Sequence, residues 1–485
     1  MSPDRRAFTS ARTVVGRDTE TTRGVTVTES PKKAVRTLED EEFKLKLQRL
    51  RRTDNRTNWY YIARTYLFLL AVIGGAVWFH SHRSSVGLPF WCNIPVTLAA
   101  ILMVGAGQHQ LSGLAHEAVH HTLFKDRYLN DLISEWLCSF PVFSSTFHYG
   151  LHHLAHHQFV NDPLRDPDIT QMDGSGHRLD FPVTGRELMR VMLRQAWVPN
   201  LIKYTWVRAQ YDSLGTETNP YLRKDWKLSH RPSRLLVAYL VFTATLLPIL
   251  VSHGNALLLA VVPLLSWLGA LTLFGLLPAE IFYQSRIRPL ISPRAQTMGR
   301  VTFNTALFWT LAWGSLLKGY GVIGSFLLLW IVPLFTSFAF FMMLRQWVQH
   351  GNADRGRLTN SRVFFVNPLL RFAIFPFGQD YHLPHHMFAT VPHYRLKELH
   401  ETLLEYPQYR EQAVLVEGCV FRTHRSQNNP TVADVLGPEH APRVPHEIYI
   451  DATVLDQEQM NGSDKAAIVR ESRAEVSAAS SLMPS

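Results

Sequence analysis

The chain has 485 residues, 46% of them hydrophobic, and a formal net charge of +10. The basic residues flank membrane-length apolar blocks, which accounts for the charge without a nucleic-acid partner. Its three cysteines (Cys92, Cys138, Cys419) are far apart and form no CxxC pair, which excludes a cysteine-ligated iron–sulfur cluster or zinc ribbon and fits a chain without disulfides.

Residues 1–35 are rich in Thr, Arg and Ser with little periodicity and read as disordered; no cleaved signal peptide is visible in this polar start. Leu38–Leu50 alternates charge with Phe43, Leu45, Leu47 and Leu50. That pattern predicts an amphipathic helix, lying either on a membrane surface or over the protein's own polar-side core. A hydrocarbon core about 30 Å thick needs roughly 20 apolar helical residues. Trp59–Phe79 and Phe90–Gly107 qualify, and Leu235–Leu277 reads as two helices broken at Ser252–Asn255. Val301–Leu316 is shorter and polar-interrupted, while Val322–Leu344 is a strong span, giving six candidates. More than a hundred residues separate the second span from the third. Tyr394–Tyr406 has helical spacing and is expected beneath the site, and Asp451–Ser485 looks like a tail.

The connections His80–Gly87, Ser252–Asn255 and Lys318–Gly321 carry few basic groups, whereas Lys44–Arg56, Arg223–Arg234, Arg286–Arg300 and Arg355–Arg362 are strongly basic. The positive-inside rule makes the basic side cytoplasmic. The expected fold is an all-α integral membrane protein with four to six transmembrane helices and a cytoplasmic helical cap. Its expected parts are an N-terminal segment (1–57), a membrane domain (58–422) and a polar C-terminal tail (423–485).

Three histidine clusters fall on that same side: His116-Glu-Ala-Val-His120-His121, His152-His153-Leu-Ala-His156-His157 and His382-Leu-Pro-His385-His386. Positions four apart share a helix face, so His116 and His120 point together and His121 is rotated away. The second cluster has two registers, His153/His156/His157 or His148/His152/His156. The first is preferred because the third cluster repeats its i, i+3, i+4 spacing. Pro384 is tolerated in a first helical turn. His350 follows the last span at the same depth and joins the candidate ligands. His109 reads as a buried hydrogen-bonding residue, and His177, His230 and His253 as isolated side chains. The preferred registers give nine imidazoles, too many for one tetrahedral zinc and suited to two metals. Glu117, Asp162, Asp166, Asp168 and Asp380 are candidates to orient the rings, or else cap helices and turns.

These clusters, with spans between them, resemble the integral-membrane fatty acid desaturases and their hydroxylase relatives. His116–Phe124, Leu154–Pro163 with Arg165–Asp168, and His382–Leu396 look like that family's three boxes, and the resemblance covers roughly Asn58 to Leu404. It implies a diiron centre on histidines matching His116, His120, His153, His156, His157, His382, His385 and His386, with His350 matching an extra ligand of several members. It also implies O2 as co-substrate and an acyl-lipid, acyl-CoA or acyl-carrier substrate. No cytochrome b5 haem motif or nicotinamide or flavin glycine fingerprint is visible, so electrons are expected from an external donor of ferredoxin or cytochrome b5 type. Some relatives have an asparagine four residues before the extra histidine, holding a metal-bound water; this chain departs from that pattern with Gln346. Hydroxylation of a lipid or carotenoid is the alternative within the superfamily. His116-Glu117-Ala-Val-His120 also satisfies the HExxH pattern of zinc proteases, and its ExxH portion that of carboxylate diiron proteins, but both leave the other clusters without a role. A metal transporter would place ligands within its spans rather than at their ends.

Overall fold

The computed structural model describes residues 36–419, 429–440, 448–451 and 453–481, and the described residues from Thr37 onward form one compact unit. The stretch 1–35 expected to be disordered lies outside the described residues. Apart from a two-stranded parallel pairing of β1 (Arg362–Phe365) with β2 (Val414–Glu417), the described elements are helical.

Five helices are long and apolar enough to cross a membrane: Thr57–His82, Phe90–Val119, Arg231–Ser252, Ala256–Leu276 and Gly321–His350. Here α1 is Glu41–Leu50, α2 is Thr57–His82 and α3 is Asn93–Val119. Apolar side chains such as Leu67, Leu70, Val241 and Leu265 are exposed on these helices, as hydrocarbon requires and water does not. The protein is a multi-pass membrane protein. The expected Val301–Leu316 span falls inside a 26-residue helix, Pro293–Lys318, that is too polar to join the five. It nevertheless runs the full depth of the bundle. Near its start the Arg300 guanidinium donates to the Ser144 and Ser213 carbonyls, both 2.9 Å away, and near its end Gly314 faces Val322 at the beginning of the last span.

Between the second and third apolar helices the cap is built from α4 (Arg127–Ile133), α5 (Thr146–Gln158), α6 (Pro167–Ser175), α7 (Gly185–Gln195) and α8 (Val198–Ala209). The bundle continues with α9 (Arg231–Ser252), α10 (Ala256–Leu276) and α11 (Pro293–Lys318). The final span comprises α12 (Gly321–Phe326), a π turn at Leu327–Ile331, α13 (Val332–Phe335) and α14 (Ser337–His350). Pro333 cannot donate to the helical ladder, and the π turn and the non-helical Thr336 lie on either side of it. The α3–α14 contact is very close: a Cβ on Gly105 would stand 2.0 Å from Ser337 Oγ and 2.7 Å from the Phe338 nitrogen.

The cap closes with α15 (Pro368–Ile374), α16 (His382–Met387), α17 (Leu396–Leu403) and α18 (Pro407–Gln412). Phe43, Leu47 and Leu50 of α1 are buried with Leu396, Leu399, Leu403 and Tyr406, so of its two expected placements α1 takes the one over the cap. The stretch expected as a tail contributes α19 (Val432–Leu436), whose Val435 and Leu436 join the main core, and α20 (Gly462–Ser481). Ile468 of α20 packs with Tyr149 and Leu154 of α5. Composition alone hid this docking, because few apolar residues carry it.

Candidate metal centre

Each ligand-bearing segment ends or begins at the cap side of the bundle. α3 carries His116 one turn before its end, and His120 caps it. His121 then adopts φ +54°, and its ring turns toward Glu458 at 3.4 Å, away from the cluster. α5 is started by Ser145, whose hydroxyl caps the His148 nitrogen and donates to Glu135 at 3.2 Å. Glu135 also accepts from the Phe147 nitrogen at 3.4 Å, and burial pushes its carboxyl up to about 7 despite Arg300 nearby. The final span ends at His350, and α16 opens directly on His382.

All nine predicted imidazoles come together, in two groups. His116, His120, His153, His157 and His385 form one; His156, His350, His382 and His386 form the other. Within each group one nitrogen per ring lies within 4.8 Å of all the others. His157 Nε2 is 3.0 Å from both His153 Nε2 and His385 Nε2, and His120 Nε2 is buried with no hydrogen-bond partner. His382 Nε2 is 2.8 Å from His350 Nε2 and 3.2 Å from His386 Nε2. A neutral imidazole carries one N–H, so rings converging in this way cannot all satisfy one another, whereas a cation at each focus accepts every lone pair. Burial, reinforced by neighbouring rings, holds His120, His153, His157, His382, His385 and His386 well below the usual histidine range, in the neutral form that metals bind. The residues fit a two-metal site.

The model of the family described as fatty acid desaturase matches residues 89–283 and 264–416, enclosing every one of these histidines. The chain belongs to the fatty acid desaturase family. It is similar to the dihydrorhizobitoxine desaturase of Bradyrhizobium elkanii, 31% identical over 24% of this chain and 30% of that protein. It is also similar to the Delta(5) fatty acid desaturase fat-4 of Caenorhabditis elegans, 30% identical over 27% of this chain and 26% of that protein. The matched region thus spans less than a third of either relative.

In this desaturase-family chain the outer nitrogens of His156 and His350 are also held. His156 Nδ1 lies 2.9 and 3.1 Å from the two Asp166 oxygens, so it donates there and leaves Nε2 facing the group. Burial works against a proton on His156, but Asp166 and Asp168 outweigh it and raise its affinity. His350 Nδ1 is 3.0 Å from the Asn360 carbonyl. The other predicted orienting carboxylates divide. Asp168 meets His152 at 2.7 Å, Asp162 pairs with Arg165 and Arg355, and Asp380 pairs with Arg371. Glu117 accepts from the Thr122 hydroxyl and the His393 nitrogen, both at 2.9 Å. Of the rival row, His152 turns to Asp168 and His148 packs beside Tyr283, so only His156 joins a group. His109 accepts the buried hydrogen-bonding reading, with Nδ1 2.7 Å from the Ala373 carbonyl. Both ends of the Gln346 amide are engaged: Nε2 donates to Asp168 at 2.9 Å and Oε1 accepts from Tyr204 at 2.7 Å.

Two further features complete the surroundings of the site. Gln379, buried three positions before His382, places its amide nitrogen 3.2 Å from both His116 ring nitrogens. An apolar cavity of about 350 Å³ lies between α8 and the final span, lined by Val142, Phe143, Leu334, Phe338 and Met342. The Arg208–Asp212 ion pair (2.8 Å) forms its polar wall, and Arg208 also lines the recess where His116, His153, His156, His350 and His382 meet.

Proposed function

We propose that this chain is an O2-dependent desaturase that introduces a double bond into the acyl chain of a lipid or thioester, with His116, His120, His153, His157 and His385 holding one iron and His156, His350, His382 and His386 the other. What supports this most is that nine imidazoles from four separate segments converge in two buried groups. When bound, two irons would supply the redox chemistry with O2 that removes one hydrogen from each of two adjacent unactivated carbons. The reaction balances as two hydrogens from the acyl chain, two electrons from a donor and two protons, taking O2 to two waters. The chain's residues do the positioning. Asp166 and the Asn360 carbonyl orient His156 and His350 from behind. The cavity beside Phe338 and Met342 falls within the common size range of ligand sites, roughly 300–1,000 Å³, and would hold the apolar chain away from water. Arg208 stands between that cavity and the recess at the histidines.

The active site faces the cytoplasm in this reading, because the cap side carries the basic connections. The test is lipid mass spectrometry of cells expressing the chain beside a His156→Ala control, with iron measured on both purified proteins. New unsaturation and two irons in the parent alone support the proposal. Added oxygen in place of lost hydrogen would assign hydroxylation instead. No difference in unsaturation or hydroxylation, or a lone zinc in fully loaded protein, overturns it. One similar protein is named for dihydrorhizobitoxine rather than a fatty acid, so the mass search covers non-acyl metabolites as well.

A further inference from the structure

α7 and α8 each have two unlike faces. Leu188, Leu201 and Tyr204 belong to the main core. On the other side Met189 and Leu193 stand four positions apart on α7, and Val198, Ile202 and Trp206 repeat that step on α8, with Trp197 at the turn between them. All six are exposed, Leu193 by 70%, Trp197 by 66% and Trp206 by 69%. Steps of four keep side chains on one helix face, so each helix presents an apolar row that the described residues leave uncovered.

The exposed ionic side chains of these two helices are Arg186, Arg190, Arg194 and Lys203 against Glu187. Glu187 accepts from the Thr184 nitrogen and hydroxyl at 2.9 and 2.8 Å, and it faces Arg190. Just before α7, Asp173 pairs with Arg178 at 2.8 Å and Asp180 is exposed. Apolar rows flanked by basic groups suit helices lying in the headgroup layer, where tryptophan also concentrates.

The cavity of about 350 Å³ lies directly behind α8. Of the residues that line it, Trp206 alone is exposed, so the cavity meets the surface there. Its opposite wall is the final span at Ile331, Leu334, Phe335 and Phe338. Phe335 comes about four turns before His350, roughly 22 Å along the helix. That wall therefore stands at hydrocarbon depth, and Val332 beside it is exposed as the lipid-facing spans are. From the cap side, the buried Arg208–Asp212 ion pair stands across the way in.

Resting on the function proposed above, we infer that α7 and α8 lie in the bilayer's headgroup layer and that Trp206 marks a lateral entrance, through which the acyl chain of a membrane lipid passes into the cavity. An acyl chain taking this route exchanges hydrocarbon for an apolar wall without crossing water or displacing an ion pair.

The probe is phosphatidylcholine with a diazirine on one acyl chain, mixed into nanodiscs of phosphatidylcholine and phosphatidylglycerol that hold the iron-loaded full chain. Trp206→Cys, in a Cys92→Ser and Cys419→Ser background, is irradiated before and after reaction with the anionic reagent sulfonatoethyl methanethiosulfonate. Labelled residues are then located by mass spectrometry. The charge is added to protein that is already folded, and iron per chain confirms that it stays so. Unreacted protein is expected to carry label on Leu193 and Ile202 and, inside the cavity, on Phe338 and Met342. A charge at the mouth is expected to cut labelling of Phe338 and Met342 about tenfold, while the exposed Val241 of α9 keeps its label. Equal labelling of Phe338 and Met342 with and without the charge overturns the entrance, as does a cavity that takes no label at all. Label on Val241 with none on α7 or α8 overturns their seating in the headgroup layer. Protein labelled as expected that forms no unsaturated or hydroxylated product leaves the entrance standing and overturns the proposed function.

Discussion

His156 carries the heaviest set of obligations of any single ring: it faces the second group, and it is fixed from behind by Asp166. His156→Ala is expected to lower bound iron from two per chain to one or none and to abolish product, measured by elemental analysis and lipid mass spectrometry. Asp166→Asn keeps the ring but weakens its support, and outer-partner changes of this kind typically cost about 10–100-fold in metal affinity or activity. His121→Ala is expected to keep both irons and most activity, because its ring lies off the cluster near Glu458. Equal loss in His120→Ala and His121→Ala would show that the first register is wrong. Glu135 supplies a pH test away from the metals. Its folded-state pKa is raised from an ordinary 4.5 to about 7, so the folded protein loses stability relative to the unfolded chain as pH rises through that interval. Glu135→Gln removes the ionisation, and its melting-temperature advantage over wild type is expected to grow between pH 5 and pH 8. A constant difference across that range would contradict the assignment.

Eight of the rings were legible from helical spacing within three clusters, whereas His350 was reached only through its depth at the end of the last span and the family resemblance. The ring partners were less legible. Asp162, Asp166 and Asp168 sit in one turn, and only the fold decides which of them reaches His156 and which is captured by Arg165 and Arg355. Gln379 and the Asn360 carbonyl had no signal at all, since a lone glutamine and a main-chain oxygen have no pattern.

Among the elements, α3 and α14 meet so closely that Gly105→Ala would drive a methyl into Ser337 and the Phe338 backbone. Small residues let membrane helices approach in this way. Gly105→Ala is expected to reduce yield and melting temperature of the detergent-purified protein and, by parting the helices that carry His116 and His350, its iron content. α1 gives a contrast within one helix. Phe43→Ala opens a hole between Phe388 and Tyr406 and is expected to destabilise the cap by about 3 kcal/mol. Leu45→Ala, on the exposed side, is expected to change stability by less than about 0.5 kcal/mol. Hydrogen exchange in α1 and α17 separates these outcomes. The sequence pattern identified α1 as amphipathic without identifying what its apolar face meets. It identified Val301–Leu316 as the weakest span because that run is short and polar-interrupted; in the turns before it Arg294 donates to the Leu277 carbonyl at the end of α10 and Arg300 to the Ser144 carbonyl. The docking of α19 and α20 could not be read, because a few buried residues in a polar stretch do not shift its average.

Across the whole molecule, the native cysteines offer a check on orientation. Cys92 stands at the start of α3, at the bundle end opposite the cap, whereas Cys419 is exposed after β2 in the cap. With the cap in the cytoplasm, an impermeant thiol reagent is expected to label Cys92 in intact cells and Cys419 in inverted vesicles. The reverse pattern would put the histidines on the outer face.

The two histidine groups also interleave the ends of the polypeptide. The first group remains open until His385 has been made, and the second until His350, His382 and His386 have been made. By that point the five apolar helices have all been synthesised. A chain that stops before His382 therefore lacks rings from both groups and can complete neither.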